Sequence, residues 1–222
     1  MTIVESNRSF MKRIFLLATL AMLFAQVTMA QLKFGPEVGL NINKFDYSIA
    51  ADESNNLGLR IGLTTDIGLG KLSVQPGLFY AMKGGESDYV DAFTNSQVEV
   101  NTNLGYIEVP LLLQYKINAG PGMIFLGGGP TASIAVTGEQ KVSTTPPNGS
   151  TTKEEQSIEF GSGITQMDRA DIGLMLNIGY ELNGGFFVRP FYNMGLSNLS
   201  NVGGITVKNN TIGISVGYLF GN

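Results

Sequence analysis

The chain has 222 residues, of which 43% are hydrophobic and only 14% charged, and its net charge is −4. An ordinary soluble domain has roughly a quarter of its residues charged, while this composition is too apolar for a disordered linker. Cysteine and histidine are both absent. Disulfide scaffolds, thiolate metal sites, catalytic thiols, a lipidated N-terminal cysteine and the imidazole base of most hydrolases therefore have no residue to run on.

At the N-terminus, Lys12 and Arg13 precede a mostly apolar run over 14–25, and Thr28-Met29-Ala30 ends in a small residue. This is the pattern of a cleaved export signal over 1–30, with cleavage expected before Gln31. The apolar run is shorter than the roughly 20 residues that cross a bilayer as a helix. Met11 serves equally well as a start, because residues 1–10 have no signal-like character. Residues 31–222 are expected to form a single domain.

From Gln31 onward, hydrophobic residues return at every second position, the period of a strand. The clearest case alternates Ile107, Val109, Leu111, Leu113 and Tyr115 with Tyr106, Glu108, Pro110, Leu112, Gln114 and Lys116. The stretch 169–182 repeats it, with Ile172, Leu174, Leu176 and Ile178 against Arg169, Asp171, Met175, Asn177 and Glu181. Eight strands are predicted, over 32–43, 57–69, 71–83, 101–117, 122–137, 167–182, 185–197 and 207–220. The connections alternate between short turns, such as Asn183-Gly184, a favoured tight-hairpin pair, and long loops, such as 44–56, 84–100 and 138–166. Short turns at one end and long loops at the other are the asymmetry of outer-membrane barrels. The prediction is all-β, an eight-stranded antiparallel up-and-down transmembrane β-barrel. A soluble barrel of the lipocalin kind also alternates, but it needs a charged exterior, and these strands are charge-poor. Aromatic residues such as Phe34, Phe45, Tyr80, Tyr106, Tyr115, Tyr180, Phe186 and Tyr218 lie near predicted strand ends, where interfacial girdles form.

Several segments resemble a known family. They are Phe34-Gly35-Pro36-Glu37-Val38-Gly39-Leu40-Asn41, Val74-Gln75-Pro76-Gly77-Leu78-Phe79-Tyr80 with Lys83-Gly84, and Tyr106-Ile107-Glu108-Val109-Pro110-Leu111-Leu112-Leu113. Asp171-Ile172-Gly173-Leu174, Gly179-Tyr180-Glu181-Leu182 and the closing 213–220 complete the set. The chain is similar over nearly its whole mature length to the small outer-membrane β-barrel proteins of Bacteroidetes, the porin family or PorT-like proteins. That resemblance implies an eight-stranded barrel in the outer membrane of a Gram-negative bacterium and, for most members, no defined activity. PorT-like members imply a component of a secretion assembly. One departure is the C-terminus, where Gly221-Asn222 follows Phe220 in place of a terminal aromatic.

Continuing the alternation puts Lys33, Glu37, Arg60, Asp66, Lys83, Glu108, Lys116, Arg169, Asp171, Glu181 and Arg189 on the face away from lipid, six cations against five anions. An eight-stranded barrel is about wide enough for side chains to fill it, so a paired charge network plugging the lumen is expected in preference to an ion-selective pore. In the loops, eleven carboxylates face three lysines. Such an acidic exterior disfavours nucleic acid. Glu86, Asp88 and Asp91 are a weak candidate for Ca²⁺, whose ligands are oxygens, although the spacing of an EF-hand loop is missing and a solvated acidic loop is the plainer expectation. The tract 143–152, rich in Ser, Thr, Pro and Gly, is expected to be mobile. Gly127-Gly128-Gly129 lacks the Lys-Ser/Thr of a phosphate loop.

The expected function is a structural or surface-interaction barrel in contact with outer-membrane lipid, acting as a monomer, with no cofactor and no enzymatic activity. Its external loops are where a protein partner would bind. A narrow channel for ions or small solutes and a secretion-assembly component are the alternatives.

Overall fold

The computed structural model describes residues 31–48 and 52–221; the expected export signal lies outside the described residues. The strands are β1 (Gln31–Tyr47), β2 (Asp52–Ser54), β3 (Asn56–Leu69), β4 (Leu72–Val90), β5 (Gln97–Ala119), β6 (Gly122–Thr145), β7 (Thr152–Ser157), β8 (Ala170–Leu182), β9 (Phe186–Gly195) and β10 (Val207–Tyr218). Eight of them close a ring in the order β1-β3-β4-β5-β6-β8-β9-β10, and β10 returns to pair with β1. Every pairing is antiparallel. The short β2 and β7 lie outside the ring on β4 and β6.

Polarity is inside out. The exposed large apolar side chains of β5 are Ile107, Val109, Leu111, Leu113, Tyr115 and Ile117, while Glu108, Gln114 and Lys116 between them are buried. The same holds around the ring, with Leu40, Ile61, Leu78, Leu126, Ile178, Tyr192 and Ile214 facing outward. A water-soluble barrel would bury these and expose the charges, so the band is a lipid-facing belt. Phe34, Tyr115, Phe186, Tyr218 and Phe220 form its rim at the turn end. Phe45 and Tyr106 do not belong to the rim as expected. They are 3% and 0% exposed, because their strand parity turns them into the lumen.

The larger correction concerns the long loops. β4, β5 and β6 do not stop at 83, 101 and 137 but run on to Val90, back to Gln97 and on to Thr145. With β2 and β7 they form a paired fin beyond the lipid belt. Once a ribbon leaves lipid, both faces can be wetted, so the apolar alternation that marks a strand disappears while the backbone ladder persists. The tract expected to be mobile is thus mostly hairpin. Ser143 pairs with Lys153 and Thr144 with Thr152, and the Gly149 amide closes the turn on the Pro146 carbonyl at 2.9 Å. Conversely β8 begins at Ala170 and not at 167, since Met167 bridges to Phe160 and Ser200 across the barrel mouth.

The fin leaves the barrel at glycines. Gly84 has φ of 152°, a region L side chains rarely adopt. At Gly105, a Cβ would lie 2.3 Å from both the Thr137 and the Tyr80 hydroxyl oxygens. Here the register slips by one between Gly105 and Tyr106, a bulge that bends the strand and increases its twist.

Candidate functional site

Strand parity delivers polar side chains to one enclosed space. Ten of the eleven predicted lumen charges meet there in a continuous ladder. At the turn end, Lys33 contacts Glu181 at 2.9 Å, and Lys116 bridges Glu181, also at 2.9 Å, to Asp66. Asp66 accepts from the Gln75 amide and the Ser73 hydroxyl, and Gln75 Oε1 accepts from Arg189 at 2.6 Å. Glu37 then joins two guanidiniums, with Oε2 to Arg189 and Oε1 to Arg60, both at 2.8 Å. Glu108 continues upward, 3.2 Å from Arg60 and 2.9 Å from Lys83. Lys83 reaches Asp171 at 3.2 Å.

Arg169 is the correction. It is exposed in the loop before β8, with its guanidinium 5.5 Å over the Phe160 ring. Arg169 precedes the start of β8 at Ala170, where parity no longer fixes direction. Without it, five cations face five anions: Lys33, Arg60, Lys83, Lys116 and Arg189 against Glu37, Asp66, Glu108, Asp171 and Glu181. The lumen is electrically neutral.

Aromatic rings pack between the charges. The Arg60 guanidinium lies 3.2 Å from the Phe79 ring centre, Arg189 lies 4.9 Å from Phe187, and Lys83 lies 5.2 Å from Tyr106. Cations held between carboxylates and ring faces need little water. Apolar clusters pack beside the ladder at three heights. Phe125, Phe187 and Leu219 lie at the turn end, Leu112, Met175 and Phe191 at mid-height, and Phe45, Leu104, Tyr106, Ala135, Leu199 and Val207 at the loop end. The contacts of these rings with the cations depend on register across the barrel, which no single strand announces.

The acidic trio is rearranged. Glu86, Asp88 and Glu99 bring carboxylate oxygens within 4.8 Å of one another, because Asp88 faces Glu99 across the β4–β5 ladder. Asp91 stands apart at the tip, where its Oδ1 accepts from the Phe93 and Thr94 amides at 2.9 and 2.8 Å. These two backbone donors, Thr94 first, hold its carboxyl below the usual aspartate range. Only the register of a hairpin unrecognised in the sequence could have supplied Glu99.

A closed antiparallel ring with a lipid-facing belt and a polar interior defines a transmembrane β-barrel of the outer-membrane type. The chain belongs to the family described as outer membrane protein beta-barrel domain, whose profile matches residues 24–201, and that family resides in the outer membrane of Gram-negative bacteria. Among solved structures it is similar to Neisserial surface protein A, at 13% identity over 84% of this chain and 97% of that one, with a TM-score of 0.45. OprG from Pseudomonas aeruginosa is similar at 13% identity, over 86% of this chain and 96% of that one, with a TM-score of 0.46. Ail, the attachment invasion locus protein of Yersinia pestis, is similar at 14% identity in a complex with the heparin analogue sucrose octasulfate, over 86% and 99% of the two chains, with a TM-score of 0.41. No curated protein matches the sequence.

Proposed function

We propose that the protein is a monomeric, non-conducting outer-membrane barrel whose work is done by its external fin and loops, as a structural or surface-interaction protein. The observation that carries this reading is the neutral ion-pair ladder from Lys33 to Asp171, packed against apolar clusters at both ends of the lumen. An ion crossing it would have to break buried pairs, and separating one costs about 3–5 kcal/mol. Cleavage of the export signal before Gln31 belongs to the same proposal. A catalytic role is disfavoured by the absence of histidine and cysteine and by carboxylates already committed to cations. Refolded protein in a planar bilayer, with a heat-dependent gel shift showing the folded barrel, is expected to pass no stepwise current. Reproducible steps whose ion preference changes in Arg60→Glu would establish the channel alternative. A silent barrel whose deletion stalls secretion would establish the PorT-like one.

A further inference from the structure

Above the ladder, two loops fold over the loop-end cluster and are tied to each other and to the barrel. Asp168 donates its amide to the Leu199 carbonyl and Leu199 donates to Val207, at 2.9 and 2.8 Å. The Asn201 side-chain amide crosses between the loops, donating to the Gly161 and Gln166 carbonyls at 2.7 and 3.0 Å. Held in this way, the loops leave a cleft of about 240 Å³ at the mouth. Its floor is the buried apolar surface of Phe45, Leu199 and Val207, and Ile164 and Val202 stand at its rim, 76% and 43% exposed.

The chemistry of the lining is selective. None of its thirteen residues carries a charge, and the polar ones offer only hydroxyls and amides, as from Thr102, Gln140 and Ser200. The cleft on the outer face of the fin is the opposite, with Glu99, Lys141, Lys153, Glu154 and Glu155 among its eight lining residues. An uncharged, apolar-floored cleft within an acidic set of loops excludes ions of both signs by desolvation. Binding sites combine an apolar wall with a few polar groups and occur at the mouths of barrels, and a pre-formed cleft spares the ligand the cost of ordering loops. A dry cavity of about 150 Å³ already holds benzene, so this volume suits one ring with a short polar substituent.

We propose that the mouth cleft binds a small, uncharged, amphipathic molecule, its apolar body on Leu199 and Phe45 and its polar group toward the hydroxyl and amide rim. The site does not depend on whether the lumen conducts, so a current through the barrel would leave this proposal standing.

Methionine methyls report on it. Met167 lines the cleft, Met194 faces lipid at 39% exposure and Met175 is fully buried. The folded protein, carrying ¹³C-methyl methionine in detergent micelles, is titrated with benzyl alcohol. The expected result is a saturating shift of the Met167 signal, with only a small linear drift at Met194 and none at Met175. Val202→Trp, which fills the rim, is expected to abolish the saturating component while keeping the gel shift of the folded barrel. Benzoate and benzylammonium are expected to bind at least tenfold more weakly. Parallel linear shifts at Met167 and Met194 would mean partition into detergent and overturn the site. Saturation that survives Val202→Trp would place binding elsewhere, and equal binding of the charged probes would overturn the ligand class.

Discussion

Glu37 occupies the most demanding position in the lumen, since each of its oxygens serves a different buried guanidinium. Glu37→Gln leaves Arg189 without a carboxylate partner and Arg60 with Glu108 alone, and removal of one member of a buried pair costs about 3–5 kcal/mol. Urea unfolding from vesicles should register a loss of that size, and coupled replacement of Arg189 and Glu37 by methionine, which leaves Arg60 paired with Glu108, should recover much of it. Unchanged unfolding in Glu37→Gln would refute the ladder as a stabilising element. Asp91 offers a residue-scale prediction outside the membrane. Its carboxyl is held below the ordinary value of about 3.9 by amides at the fin tip, so the turn is braced above that value and loosens as the pH falls through the lowered one. The Thr94 and Phe93 amides should therefore stay protected from hydrogen exchange at pH 4 and above, and Asp91→Ala should remove the protection at every pH. Ten of the ladder's members could be named from parity alone, because a charge on a strand that crosses lipid must face inward. Arg169 could not, since parity has meaning only inside a strand and nothing local marks where β8 begins.

At the scale of elements, the lipid belt was readable and the fin was not, and the reason is the solvent. Lipid imposes a strict period of two on β5 from Ile107 to Ile117, whereas Asn101 and Asn103 and their partners Lys141 and Glu139 are partly exposed and have no such period to keep. The junction depends on glycine geometry. Gly84→Ala would force a Cβ to 2.0 Å from the Thr102 carbonyl oxygen at a φ of 152°, so the backbone must shift in addition to a conformational strain that alone costs on the order of 1–3 kcal/mol. Gly70 also has a positive φ, but nothing lies within 4 Å of its would-be Cβ, so Gly70→Ala should cost only about 1–2 kcal/mol. Paired urea titrations should rank the two in that order, and the reverse would contradict the close approach of β4 to β5. The mouth cleft was illegible for a different reason. Its walls come from β1, β5, β6, β10 and two loops, so only the closed barrel brings them together.

At the scale of the whole molecule, the proposed non-conducting barrel has layers of side chains across its lumen, and layers make a specific prediction about opening it. Arg60 and Arg189 are the largest fully buried side chains and occupy the waist with Glu37 and Glu108. Above them the Phe45–Leu199 cluster covers the mouth. Trimming the mouth alone, as in Leu199→Ala, leaves the charged waist intact. Trimming the waist alone, with Arg60, Arg189, Glu37 and Glu108 all changed to serine, removes two cations and two anions, so the lumen stays neutral while the apolar cap remains. Each change alone should give a silent bilayer. Together they should give small, weakly selective steps, because eight strands leave little width even when emptied and no net charge remains to favour either sign. Current from the Leu199→Ala variant would mean that the ladder does not block ions, and current from the waist variant would mean that the cap does not. Silence of the combined, demonstrably folded variant would locate the barrier instead at Lys33, Lys116 and the Phe125–Phe187 cluster of the turn end, which neither change touches.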